Sequence, residues 1–135
     1  MPRIEWVDRF KVNIRDIDSH HQRLIHLINT LEEGIQHHEE RVVMGMVIDL
    51  LIEYAKYHFS VEERYFDLYH YPDAKAHKAE HAMFLKRVLH FKEDFAKDDM
   101  NLPTAMTRFL GDWLQNHILV SDHKFAPYLN AKGVH

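Results

Sequence analysis

Four stretches of this chain place inward-facing residues at intervals of three and four, and every one of these stripes carries a histidine at a position suited to an apolar side chain. That stepping marks one face of a helix. The first stripe is His21, Leu24, Ile25, Ile28, Leu31 and Ile35, ending in the polar HHEER. The second is Val47, Leu51, Tyr54, His58, Glu62 and Tyr65, on a helix expected from about Arg41 to Tyr69. HYPD at 70–73 ends it, because Pro72 cannot continue a helix and biases Tyr71 away from helical angles. His77, His81, Phe84, Val88, Phe91 and Phe95 form the third stripe, closed by KDDMNLP. Pro103 suits the first turn of a fourth helix carrying Met106, Phe109, Leu110, Trp113, Leu114 and His117. Asp18 or Ser19 is expected to cap the first helix, with Ser19-x-x-Gln22 as a capping box. Four amphipathic helices on short connections predict an all-α fold, an antiparallel up-and-down four-helix bundle. One domain is expected over 1–135. It comprises an N-terminal arm at 1–17, whose Ile4, Trp6, Val12 and Ile14 pack on the core, a bundle at 18–120, and a short helical tail at 121–135.

Composition narrows the function. A chain of 135 residues makes one domain with a real core. Net charge is −4 with Lys and Arg scattered, which argues against nucleic acid or an anionic membrane as partner. The absence of cysteine excludes disulfides, Fe–S clusters and thiol catalysis. Neither an apolar signal-peptide core nor a run near the roughly 20 apolar residues of a membrane span is present, so a soluble, cytoplasmic protein is expected. The 13 histidines stand against only 4 glycines and 4 prolines, and their placement has to explain them.

His21, His58, His77, His81 and His117 lie on the inward phase, while His20 is rotated from His21 by about 100°. His58 and Glu62 are four apart, as are His77 and His81, close enough on one helix face to grip an ion. A single inward histidine is more often a hydrogen-bonded core residue. Five of them on four helices, with a buried carboxylate, would cost several kcal/mol for each group left without a partner, roughly 2–7. Coordination to a cation removes that cost. His37, His38, His70, His123 and His135 sit among polar residues, and His20, His26 and His90 are off the inward phase, so these are expected to be mostly solvated.

A single zinc takes about four ligands. With Asp122, five residues after His117, as a second carboxylate, there are seven candidates, a number suited to two near-octahedral ions sharing bridging carboxylates. Imidazole with carboxylate fits non-haem iron. No glutamate has a histidine three residues later, so the Glu-x-x-His pairs of carboxylate-rich di-iron enzymes are missing. Neutral ligands disfavour very high oxidation states and lean toward dioxygen binding over O–O cleavage.

The order His21, His58-x-x-x-Glu62, His77-x-x-x-His81, His117-x-x-x-x-Asp122 resembles the hemerythrin family, most closely the single-domain bacteriohemerythrins. Trp6 in the arm, HF..EE, the YP turn and WL..HI extend the resemblance over nearly the whole chain. It implies two irons with an oxo or hydroxo bridge. His77, His81 and His117 would hold one, and His21 and His58 the other, which keeps an open position. Glu62 and Asp122 would bridge them. It also implies reversible O2 binding for storage, delivery or sensing, with small anions as further ligands of the ferric site and an unidentified protein as a possible acceptor. Leu24, Phe59, Trp113, Leu114 and Ile118 match the family's O2 pocket. The alternative is a di-iron redox enzyme, a peroxidase, oxidase or nitric oxide reductase. No additional proton-donating carboxylate is expected beside the ligands, which argues against that alternative and for a protein that is not an enzyme. Two departures stand out: His20 replaces a common glutamine, and Phe66 replaces a common methionine, with the second expected to bear on the pocket or its access path.

The spacing His117 to Asp122 carries a geometric consequence. Five residues of regular α-helix turn a side chain by about 140°, so both can reach one metal pair only if the winding changes between Ile118 and Ser121, or the helix ends there.

Overall fold

The computed structural model describes residues 3–135. Helix α1 runs Arg15–Gln36, α2 Glu40–Tyr69, α3 Ala74–Ala96 and α4 Leu102–Trp113. A π-helical segment, Leu114–Asp122, continues α4, and α5, His123–Ala131, follows without a break. Among the described residues there is no strand. The bundle is the expected one: three, four and five residues connect successive helices, and each helix packs on its neighbours around the ring.

α1 begins at Arg15, ahead of both predicted caps, and no side chain caps it. The reason is that Asp18 is already engaged: its carboxylate accepts the Val12 N–H at 2.7 Å and ties the arm to the helix. At the end of α2, His70 takes a left-handed φ of 56°, and the Tyr71 N–H turns back to the Phe66 carbonyl at 3.0 Å. The Tyr128 hydroxyl donates to the carbonyls of Tyr69 and His70, at 2.6 and 3.0 Å, so the free end of the helix is satisfied from α5. Gly34 is required by close approach, since a Cβ there would lie 2.7 Å from the Val43 side chain across the α1–α2 turn.

Two apolar cores lie along the bundle axis. The larger is built from Leu24–Leu31 of α1, Val47–Phe59 of α2, Phe84–Phe91 of α3 and Leu102–Ile118 of α4 and its extension. In the smaller, Val12, Ile14 and Ile17 meet Phe66, Tyr71, Phe125, Ala126 and Leu129. The arm serves both: Ile4, Trp6 and Phe10 pack on the large core, Val12 and Ile14 belong to the small one. Asn29 fixes the arm from both sides, accepting the Ile4 N–H at 2.9 Å and donating to its carbonyl at 2.8 Å.

The stripes end differently from their prediction. Ile35, Tyr65, Phe95 and Phe109 are only half-buried, and α2 buries Phe66 in place of Tyr65. One change of phase near the end of α2 serves the small core, which the large core's stripe does not describe.

Candidate metal centre

Between the two cores the bundle carries a polar layer. Each of the first three helices sends one or two side chains into it from the level where its apolar stripe is interrupted, and the π-helical segment adds two more. His21, His58, Glu62, His77, His81, His117 and Asp122 are all at most 3% exposed. All seven sequence candidates therefore come together.

They form two groups that share Glu62. Ligand atoms of Glu62, His77, His81 and His117 lie within 4.8 Å of one another, and so do those of His21, His58, Glu62 and Asp122. The carboxylates turn one oxygen each way. Asp122 Oδ2 is 3.0 Å from His21 Nε2, while its Oδ1 is 3.0 Å from His77 Nε2 and 3.1 Å from His117 Nε2. Glu62 Oε2 is 3.4 Å from His58 Nε2, and its Oε1 lies 2.9 Å from His81 Nε2. Despite these distances, both carboxylates and the Nε2 atoms of His21, His77, His81 and His117 lack a hydrogen-bond partner among the described residues. Buried polar groups are rarely left so. Eight convergent donor atoms of nitrogen and oxygen, inward and unpaired, fit cations held between them, and two cations fit better than one.

Electrostatics agrees with that need. Burial and the neighbouring Asp122 push the Glu62 carboxyl up, but His58, His77 and His81 outweigh them and hold it well below the ordinary range. Asp122 is likewise lowered, burial being overcome by His117, His21 and His77. Two adjacent buried carboxylates kept ionised demand positive charge between them. His58 is pushed down to about 3 by burial, whereas His77, also opposed by burial, is drawn up to about 9 by Asp122 and Glu62. A cation in either group would displace such protons.

The outer ring nitrogens have partners that the sequence did not disclose. His81 Nδ1–H donates to Glu63 Oε2 at 2.9 Å, and His117 Nδ1–H to Glu80 Oε1 at 2.8 Å. Ser121 anchors Glu80 through both oxygens, at 2.8 and 3.0 Å. The expectation of no further carboxylate beside these histidines is thus corrected: both glutamates meet the outer nitrogens of the rings, and Glu80 shares a surface cleft with Trp113 and His117. Their signal in the sequence was only adjacency, Glu63 after Glu62 and Glu80 before His81. Each reaches a ring on the neighbouring segment, which periodicity within one helix does not show.

On the large-core side the layer is roofed by rings. Phe59 stacks on His81 and Trp113 on His117, both at centroid distances of 3.9 Å. Leu24, Leu114 and Ile118 are buried in the same core, so all five pocket candidates lie on this side. Phe66 does not. It packs edge-on to His77 at 4.7 Å from within the small core, which places it opposite the pocket and corrects its expected bearing on access. His20 and His123 also depart from the solvated expectation. His20 Nδ1 lies 2.8 Å from His58 Nδ1. His123 bridges the carbonyls of Leu119 and Lys11, at 3.1 and 2.9 Å.

The winding change is present and longer than the four residues expected. π-Helix spans the nine residues Leu114–Asp122. At wider winding, five residues bring His117 and Asp122 round to the same side, and they close to 3.1 Å.

Comparison with known proteins gives concordant results. The family model described as the hemerythrin HHE cation binding domain matches residues 12–129. The chain is 32% identical over 131 residues to a bacteriohemerythrin of Stenotrophomonas maltophilia, covering 97% of this chain and 84% of that one. It is 30% identical over 124 residues to a bacteriohemerythrin of Clostridium acetobutylicum, covering 89% and 96%. Among solved structures, a wild-type hemerythrin superposes with a TM-score of 0.83 at 29% identity, covering 93% of this chain and 97% of that one.

Proposed function

This chain belongs to the hemerythrin family, and from that premise we propose that it binds dioxygen reversibly at a non-haem di-iron centre, as a cytoplasmic store, carrier or sensor of O2. The observation that carries the reading is the pair of donor groups sharing Glu62, with both bridging-type carboxylates turned toward each. When bound, two ferrous irons would supply the two electrons that hold O2 reversibly.

The chain's own residues divide the remaining work. His77, His81 and His117 would hold one iron, His21 and His58 the other, with Glu62 and Asp122 common to both. The first group has three imidazoles and the second two, so an open coordination position would fall to the second. Glu63 and Glu80 fix the tautomers of His81 and His117, leaving each Nε2 lone pair inward. Phe59, Trp113, Leu24, Leu114 and Ile118 would keep water from the side where O2 would sit. None of these pocket side chains is an acid, and the buried phenol nearby, Tyr54, is held protonated by burial and the charge of Glu62, which favours reversible binding over a peroxidase or oxidase. Among the described residues no helix is long and apolar enough to cross a membrane.

The test is anaerobic reduction of the iron-loaded protein, followed by addition and removal of O2 with optical monitoring. Repeated cycling between two spectra, with two irons per chain, is expected. Irreversible bleaching on the first exposure, or one tightly held zinc and no iron uptake, would sink the reading.

A further inference from the structure

We propose that His20 is a positioning residue that gives the two-histidine side of the centre a neutral partner, where the three-histidine side has carboxylates. The inference rests on the di-iron reading and deepens it.

His20 and His58 meet through their Nδ1 atoms at 2.8 Å, with ring planes at 89°. His58 turns Nε2 toward Glu62 and the centre. An imidazole that binds a cation through Nε2 keeps its proton on Nδ1, so His58 donates. Two N–H groups cannot face each other at this distance. His20 Nδ1 is therefore the acceptor, and its own proton sits on Nε2. The exposed Tyr57 meets the His20 ring edge-on at 5.1 Å, and both line a surface cleft of about 420 Å³. The pair is thus built rather than incidental. A half-buried imidazole is fixed by one aromatic ring and hydrogen-bonded to another.

The other group is treated differently. His81 and His117 donate to the carboxylates of Glu63 and Glu80. An anionic acceptor makes an imidazole a stronger electron donor, which stabilises the more highly charged metal. A neutral acceptor does so less. The asymmetry favours the ferric state at the three-histidine iron and leaves the iron with the open position easier to keep ferrous, ready for a ligand.

Three variants test this: His20→Glu, His20→Gln and His20→Ala. The readouts are the midpoint potential of the loaded centre and the iron-binding isotherm of the apoprotein, with helicity checked by circular dichroism. His20→Glu should favour ferric over ferrous iron at one site about tenfold or more, lowering that one-electron potential by about 59 mV or more. His20→Gln supplies a neutral acceptor and should stay within that margin of wild type. His20→Ala should lose roughly 10–100-fold in affinity for one iron and leave the other unchanged. Two irons with an unshifted potential in His20→Glu, or wild-type affinity for both irons in His20→Ala, overturns this inference alone. Wild-type protein that takes up fewer than two irons overturns the di-iron reading along with it.

Discussion

Tyr54 is the residue whose position asks most for an explanation. Its ring stacks on His58 at 5.0 Å, and its hydroxyl is buried with no hydrogen-bond partner among the described residues. Burial, and then the charge of Glu62, raise the phenol well above its ordinary pKa, so it stays protonated. An unsatisfied buried hydroxyl costs about 1–3 kcal/mol. Tyr54→Phe should therefore leave the apoprotein as stable as wild type or raise its melting temperature by a few degrees, roughly 3 °C per kcal/mol. Calorimetry on metal-free protein checks it, and a fall of that size would show that the hydroxyl has a partner. Leu114 tests the roof. It lines both the large core and a cavity of about 520 Å³ beneath the arm. Leu114→Ala should join that cavity to the pocket and speed autoxidation while iron content stays near wild type, which stopped-flow optical decay would measure. What the sequence disclosed at this scale follows a simple physical line. A polar residue on an inward phase has to be explained within its own helix, so His21, His58, Glu62, His77, His81 and His117 were visible, whereas Asp122 entered only through its spacing from His117 and the family resemblance. Glu63, Glu80 and His20 lie off that phase, and their partners sit on other segments, so only the folded chain pairs them.

The π-helical segment 114–122 is the element on which the site depends. The spacing of five between His117 and Asp122 required a change of winding, and that much was legible. Its length was not, because nothing in LQNHILVSD marks where wider winding starts. Nor was the start of α1, where Asp18 is taken by the arm rather than by a cap. Inserting one alanine after Val120 adds a residue that the wider winding does not absorb and should rotate everything after it by about 100°. Phe125 and Leu129, both fully buried, would then leave the small core. Loss of two such side chains is worth about 4–10 kcal/mol in similar core truncations. The expected outcome is a protein that melts at least 10 °C lower and retains less than one iron per chain. Full iron retention in the insertion variant would mean that Asp122 is dispensable.

At the scale of the whole molecule, a polar layer divides two apolar cores, and without metal its carboxylates are offset only by protonated imidazoles such as His77. Metal removal should therefore loosen the bundle as a unit. At a metal concentration 1,000 times the Kd, binding contributes about 4 kcal/mol, or roughly 10 °C in melting temperature for a chain of this size. Melting the protein with and without a chelator measures it, and equal melting temperatures would mean the layer is satisfied without cations. The two cores differ in how the chain assembles them. The small one joins Val12, Ile14 and Ile17 to Phe125 and Leu129, and His123 and Asn130 reach back 112 and 117 residues to the carbonyls of Lys11 and Asn13. It works as a clasp between the two ends of the chain. Contacts of such long sequence separation carry the largest loop-closure cost and can open while the large core stays intact. Release of iron to a competing chelator should then follow the rate at which this clasp opens, well ahead of global unfolding, so that a clasp whose two sides adjoin His21 and Asp122 in sequence sets how long the protein keeps its metal.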